Sequence, residues 1–526
     1  MTQNEPLTLA RKGPLAGLRA VELGDGTAGP YAAKLLADFG AEVVKIEAPE
    51  GDSTRLRGPF VDDKPDPEGS GLFIYLNTNK QGVVLDIAEA AGRVALDDLL
   101  DSADIFITNL PPARLATAGI VLGKLRARYP TLVITSISPF GTDGPWARRR
   151  GDELVTYAMG GMAYSTPGMP DAALDLETEP PLHPACFAAG TITGLVAASA
   201  TLAAIHTRTQ TGAGCLVEVS ELGAVAAMQH RDINNVSYAS GPYKHMRVFS
   251  PTTTGRMPNF YLPCKDGYVA IPAPLDAHWA ILVGAMGNPE WARAPEFATG
   301  AARTKHCVDL RRRLIDWTTT VTGDELFALA TEHELLIFPF YPVRKLVESP
   351  HVRARESVVD VDVGEGKARM TGAPVKMHRT PWALRRPAPK KGEHTAEVLS
   401  AARAAVGGRA RSDSPKRALP NDGAKALPLT GVRVLDLGQF IAIPFCTLWL
   451  AWLGAEIISV ESRRRMTSRT APPFAPGHGT DPDASGYYNL LYSSKKCCTV
   501  DMTKAAGRDL VRRLAGVVDV MVDNYS

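Results

Sequence analysis

Short apolar runs alternate with longer helix-like stretches over the first 140 residues. Arg19–Leu23 (RAVEL) reads as a strand, and a Gly/Ala/Pro turn follows. Apolar spacing over about 30–39 then predicts a helix stopped by Gly40. Residues 42–46, 83–86, 105–109 and 132–136 read as further strands, with helices over about 87–101 and 120–128. Strands in regular alternation with helices predict an α/β, Rossmann-like parallel sheet covered on both faces. In such sheets a ligand lies beyond the carboxyl ends of the strands. Residues 194–206 (GLVAASATLAAIH) form a small-residue helix that must pack closely. From 226 to 345 the texture changes. A strand pair around 260–271 and helices near 277–286, 305–319 and 323–333 predict a smaller α+β domain, after which 346–400 returns to the large domain of 15–225.

The apolar pattern also repeats. Residues 17–47 (GLRAVELGDGTAGPYAAKLLADFGAEVVKIE) and 431–461 (GVRVLDLGQFIAIPFCTLWLAWLGAEIISVE) agree at 12 of 31 positions at an offset of 414. Arg55 pairs with Arg469 at the same offset; one residue further on, Lys80 pairs with Lys495 and Asn109 with Asn524. A tandem fusion follows, with a second copy opening at 429 and an incomplete run to 526. The stretch 401–428, rich in Ala, Arg, Gly and Pro, reads as a flexible linker. The repeat also bears on 440–460, which is apolar enough to suggest a membrane span but contains Pro444, Gly454 and Glu456. Its counterpart in the first copy makes it a buried turn–helix–strand.

Composition narrows the class. With 45% hydrophobic and 22% charged residues, the 526-residue chain reads as a globular protein of roughly two to four units rather than a disordered one. A net charge of +2 gives no nucleic-acid footprint. Seven scattered cysteines contain no CxxC pair, which fits a reduced, cytoplasmic setting and suggests neither a zinc site nor a disulfide framework. The histidines (His183, His206, His230, His245 and His278 among them) show no metal-ligand spacing.

An ordered set of motifs carries a family resemblance: the run 15–47, GDSTR at 51–55, Asn79-Lys80, Asn109, SISPFGTDGP at 136–145, RTQTGAGCLVEVS at 208–220, YLPCKDGYVAI at 261–271 and GEHTAEVL at 392–399. Together they resemble the class III coenzyme A transferases, a superfamily that also contains α-methylacyl-CoA racemases. The resemblance implies a Rossmann-like large domain and a smaller one, in two chains interlinked like rings: a homodimer, pseudo-dimer or heteromer. It also implies exchange of CoA between an acyl-CoA and a carboxylic acid, with coenzyme A entering as acyl-CoA and no metal. An active-site aspartate would carry the acyl group as a mixed anhydride. A carboxylate suits that work because an anhydride is as activated as a thioester, whereas a serine ester would trap the acyl group.

The position of that aspartate, four residues before Gly194, is Gly190. No Asp or Glu occurs between Leu182 and Arg208. The first copy is therefore expected to be silent alone, its carboxylate coming from a second half or a partner chain. Loop acids such as Asp171 and Asp175 are a weaker substitute, and a non-catalytic subunit is the alternative. Racemisation is disfavoured because Asp152 stands at the position of the racemases' histidine. For CoA, the resemblance implicates the turn at Thr27 and Ala28, with Glu47, Arg55, Lys80 and Asn109. Two basic positions of the family are Ala48 and Thr117 here, which predicts a weakened nucleotide site.

Overall fold

The computed structural model describes residues 13–166, 181–238, 257–273, 275–363, 366–406, 427–463 and 466–525. Asp171, Asp175, His245 and most of the linker (407–426) lie outside the described residues.

Six parallel strands form the large sheet: β1 (Arg19–Leu23), β2 (Glu42–Glu47), β3 (Lys80–Val84), β4 (Ile105–Thr108), β5 (Val133–Ser138) and β6 (Leu216–Ser220). Their order is β3-β2-β1-β4-β5-β6, the doubly wound arrangement whose strand order reverses between β1 and β4. Helix α1 (Ala28–Asp38) follows β1, α2 (Gly71–Asn77) precedes β3, and α3 (Ala90–Asp101) links β3 to β4. Alternate residues of each strand feed different cores. Val21, Val44 and Phe106 join Leu96, Leu99 and Leu100 of α3. Ala20, Val43, Ile105 and Val133 join α1 and the long helix over Ala188–Thr211. Continuous apolar strands with both faces covered are what a parallel sheet requires.

Three further helices shape the sheet's carboxyl edge: α4 (Glu153–Met159), α5 (Ala188–Thr211) and α6 (Glu221–Met228). Helix α5 begins six residues before the expected 194, because Ala188, Ala189 and Gly190 already carry small side chains that fit against α1 and α4. At Gly194 an added Cβ would meet Ala28 O at 2.8 Å and the Tyr31 ring at 2.9 Å. Length and apolarity alone would let α5 cross a membrane, but here it is the core helix packed on α1 and β5–β6. Strand β3 opens at Lys80 rather than Val83 because Lys80 and Gln81 pair with Val43 and Val44 of β2; the polar Lys80 hides a buried ion pair that an apolar-pattern rule cannot anticipate.

Strands β7 (Asn259–Cys264), β8 (Gly267–Pro272) and β9 (Phe338–Pro339) form a three-stranded antiparallel sheet, and β10 (Val358–Val363) pairs antiparallel with β11 (Gly366–Thr371). Met257, Phe260, Leu262, Trp279, Leu310 and Leu326 form the core around the three-stranded sheet. A helix over Thr395–Ala405 returns to the large sheet, burying Val398 and Ala402; it runs past 401, where the low-complexity stretch begins, since Ala-rich sequence propagates a helix.

The second copy builds β12 (Arg433–Asp436), helix α7 (Ala442–Trp452), β13 (Glu456–Glu461), β14 (Lys496–Thr499) and β15 (Val520–Val522). Its parallel sheet has the order β14-β13-β12-β15, the same order as β3-β2-β1-β4. The apolar segment 440–460 is thus a turn, α7 and a strand.

Candidate active site

Between β1 and α1 the chain turns through Gly24–Pro30 at the point where the strand order reverses. Gly26 adopts φ +75°, a left-handed conformation that glycine tolerates at little cost. Asn109, just past β4, clamps this turn with both atoms of its amide: Oδ1 accepts from Asp25 N at 2.9 Å, and Nδ2 donates to Asp25 O at 2.6 Å. A Cβ on Gly29 would lie 2.7 Å from Asn109 Oδ1, so the clamp needs glycine there. Thr27 is half-buried at the start of α1 and Ala28 is buried.

Beneath the turn lies a buried charge network. Lys45 Nζ reaches Asp52 Oδ2 at 2.7 Å and Glu22 Oε1 at 3.1 Å. Lys80 Nζ donates to Glu22 Oε2 at 2.7 Å, Pro30 O at 2.7 Å and Asn77 Oδ1 at 2.9 Å. Two ammonium and two carboxylate groups balance. Burial opposes charge on Lys45, but Asp52 and Glu22 prevail and raise its pKa. Lys80 shares Glu22 with it, and burial brings Lys80 down to about 8. Alongside, Arg55 forms a two-point pair with Glu47 (Nε–Oε2 2.7 Å, Nη2–Oε1 2.8 Å), meets Glu68 at 2.8 Å and lies 3.6 Å over the Phe73 ring.

Thus the six residues expected to contact CoA gather around the β1–α1 turn and the β2 end, Lys80 reaching there from the start of β3, in two different states. Thr27 and Ala28 begin a helix at the switch-point turn. Glu47, Arg55 and Lys80 are buried and satisfied by one another or by neighbours, and Asn109 spends its amide on the turn. Thr117, at a family basic position, is exposed and hydrogen-bonds within its own helix.

On the other side of the turn, the first residues of α5 meet α4. Gly190 presses on Thr27: an added Cβ would come within 2.8 Å of Thr27 Cβ and 3.4 Å of Glu153 Oε2. The Glu153 carboxylate accepts two first-turn amides of α5, Ala189 N on Oε1 and Gly190 N on Oε2, each at 2.8 Å. His183 Nε2 lies 3.4 Å from Oε1. Thr156 Oγ1 donates to Glu221 Oε2 at 3.2 Å. Burial pushes the Glu221 carboxyl up to about 7, and the charges of Glu153 and Asp152 add to that. Asp152 caps α4 by accepting Val155 N at 3.1 Å. Glu153 and Glu221 escaped the sequence reading because 153 lies far from 190 in the chain. Their only signal was a pair of acidic residues at helix starts. No group of three or more metal-ligating side chains gathers among the described residues.

A doubly wound sheet with a glycine-rich turn at its switch point, and the motif order along it, define a family that the comparisons name. The CoA-transferase family III model matches residues 15–395 and 429–526, and the chain belongs to that family. It is 30% identical over 395 residues to the succinate–glutarate CoA-transferase of Agrobacterium fabrum, covering 74% of this chain and 96% of that relative. It is 31% identical over 413 residues to the succinyl-CoA:mesaconate CoA-transferase of Haloarcula hispanica, covering 76% and 100% respectively. The crystal structure of a CAIB/BAIF family protein from Brucella suis superposes with a TM-score of 0.66 at 27% identity, covering 74% of this chain and all of that one.

Proposed function

We propose that this chain is an acyl-CoA:carboxylate CoA-transferase acting on short dicarboxylic acids, in a cytoplasmic setting. The observation that carries this is the alignment with transferases of succinate, glutarate and mesaconate over nearly their whole length. In this reading the β1–α1 turn at Thr27 and Ala28 meets the CoA moiety. Glu47, Arg55, Lys80 and Asn109 act one step behind, holding the turn and the β2 end in place. A buried, fully paired Lys80 is a support for a binding surface rather than a phosphate ligand.

Residue 190, the family aspartate position, is glycine, so the acyl carrier is not there. The sequence reading assigns that carrier to a second half of the protein or to a partner chain. The competing reading, a non-catalytic subunit that shapes a partner's cleft, is favoured by the same glycine. Incubating the chain with succinyl-CoA and a panel of glutarate, mesaconate, malate and oxalate, then resolving CoA esters by mass spectrometry, tests the transfer reading. New acyl-CoA species are expected; an inert chain, alone and with any partner it co-purifies with, would leave the subunit reading standing.

A further inference from the structure

We propose that Glu153 carries the acyl group in the first copy, working from the start of α4 at the place that residue 190 leaves empty. This rests on the transfer reading above.

The chemistry sets the search. Moving CoA between two acids needs a carrier that attacks a thioester and then departs as easily, which a carboxylate does. Several carboxylates stand near the switch point, and most are committed. Glu22 and Asp52 neutralise Lys45 and Lys80, and Glu47 neutralises Arg55. Asp25 holds Ser53 N at 2.7 Å, and Asp152 caps α4. Glu221 is mostly buried, and its raised pKa keeps a large share of it protonated near neutrality. Glu153 accepts two backbone N–H groups and lies 3.4 Å from His183 Nε2; among the described residues no lysine or arginine pairs with it, and 16% of its side chain remains exposed.

Its placement fits the task. A short side chain on residue 190 would project toward the Glu153 carboxylate, whose Oε2 lies 3.4 Å from that Cβ position. The longer glutamate arrives at the same spot from a different helix. Thr27, 2.8 Å from the Cβ position, leaves residue 190 no room for a side chain of its own. Each Glu153 oxygen accepts one backbone N–H and keeps a further lone pair for attack. Those two N–H groups lie in the first turn of a 24-residue helix, so they hold the Glu153 carboxylate in place at the positive end of the helix dipole.

The steps balance without an oxidant or an added proton. A Glu153 oxygen bonds to the thioester carbonyl carbon, the C–S bond breaks, and CoA departs as thiolate with the electron pair. The product is a glutamyl–acyl anhydride. The thiolate then attacks the Glu153 carboxyl carbon and expels the first acid as its carboxylate, leaving a glutamyl-CoA thioester. The incoming acid's carboxylate attacks that thioester, thiolate leaves again, and its return to the new anhydride's acyl carbon gives the product thioester and free Glu153.

The test uses the full chain with succinyl-CoA as donor and glutarate as acceptor. Hydroxylamine converts either activated form of the carrier into a hydroxamate, which peptide mass spectrometry locates. The proposal expects the hydroxamate on Glu153, and a loss of exchange of roughly a thousandfold in Glu153→Gln. Because that substitution also alters the α5 cap, Glu153→Asp is the second variant. It keeps a carboxylate on a shorter arm, so the hydroxamate moves to the new aspartate while exchange falls less than with glutamine. Exchange that persists in Glu153→Gln, or a hydroxamate on Asp171, Asp175 or a partner chain, overturns this assignment and leaves the transfer reading intact. A chain inert towards every acyl-CoA overturns both.

Discussion

The two copies share a chain path and differ in what they bury beneath it. In the first, Lys45, Lys80, Glu22 and Asp52 form a closed set of four charges under the β1–α1 turn. In the second, the positions of Lys45 and Asp52 hold Ser459 and Met466. One positive and one negative charge have gone together, and Lys495 is left with Asp436 at 3.2 Å, Pro444 O and Thr447. The vacated place is imperfectly refilled, since the Ser459 hydroxyl is buried without a partner. Other parts are kept: Arg469 pairs with Glu461 at 2.9 Å, as Arg55 does with Glu47, and Asn524 clamps Gln439 through both its amide atoms. Buried charges change as balanced pairs because a lone one costs far more than the pair contributes.

The most direct way to break this comparison is Lys45→Met. It leaves two carboxylates to one lysine and should destabilise the protein by about 3–5 kcal/mol. Lys45→Ser with Asp52→Met, which copies the second repeat, should recover most of that loss in chemical denaturation. A single variant as stable as the parent would show that the network does not act as a unit.

The carboxyl group at the start of α6 gives the next effect. Glu221 has a folded pKa near 7 against an ordinary 4.5. Because the folded value is the higher one, the stability it contributes is present below about pH 4.5 and disappears as pH rises through 7. Glu221→Gln should therefore melt like the parent at pH 4 and be the more stable of the two at pH 8, by up to about 3 kcal/mol. Equal melting curves at both pH values would remove Glu221 from the account.

Smaller effects follow at the helix crossing and the turn. Gly190→Ala drives a Cβ into Thr27 and should cost about 1–3 kcal/mol, with Thr27→Gly restoring much of it in the same background. In the turn, Phe440 holds φ +67° where the first copy has Gly26 at +75°. Phe440→Gly should gain about 1 kcal/mol of relieved strain, reduced by the lost stacking on Tyr487 at 5.7 Å. A loss of stability in that variant would mean the stacking outweighs the strain.

The sequence revealed more of the fold than of the site, for physical reasons. Strands such as Arg19–Leu23 and the repeat of their pattern at 433–436 are written in apolar periodicity, and so is the turn–helix–strand reading of 440–460. Lys80 was legible as a landmark but not as a buried group, because a lysine's burial depends on Glu22, 58 residues away. Gly190 was visible as an absence. The carboxylate facing it was not, since Glu153 reaches it through a helix contact that no local pattern encodes. Thr27 and Glu153 become neighbours of one glycine only when α1, α4 and α5 converge.

The clamp of Asn109 on the β1–α1 turn also ties distant parts of the chain together. One side chain stitches the ends of β1 and β4 across the place where the sheet reverses direction, through Asp25 N at 2.9 Å and Asp25 O at 2.6 Å. The turn cannot swing away from β4 without unpicking both stitches.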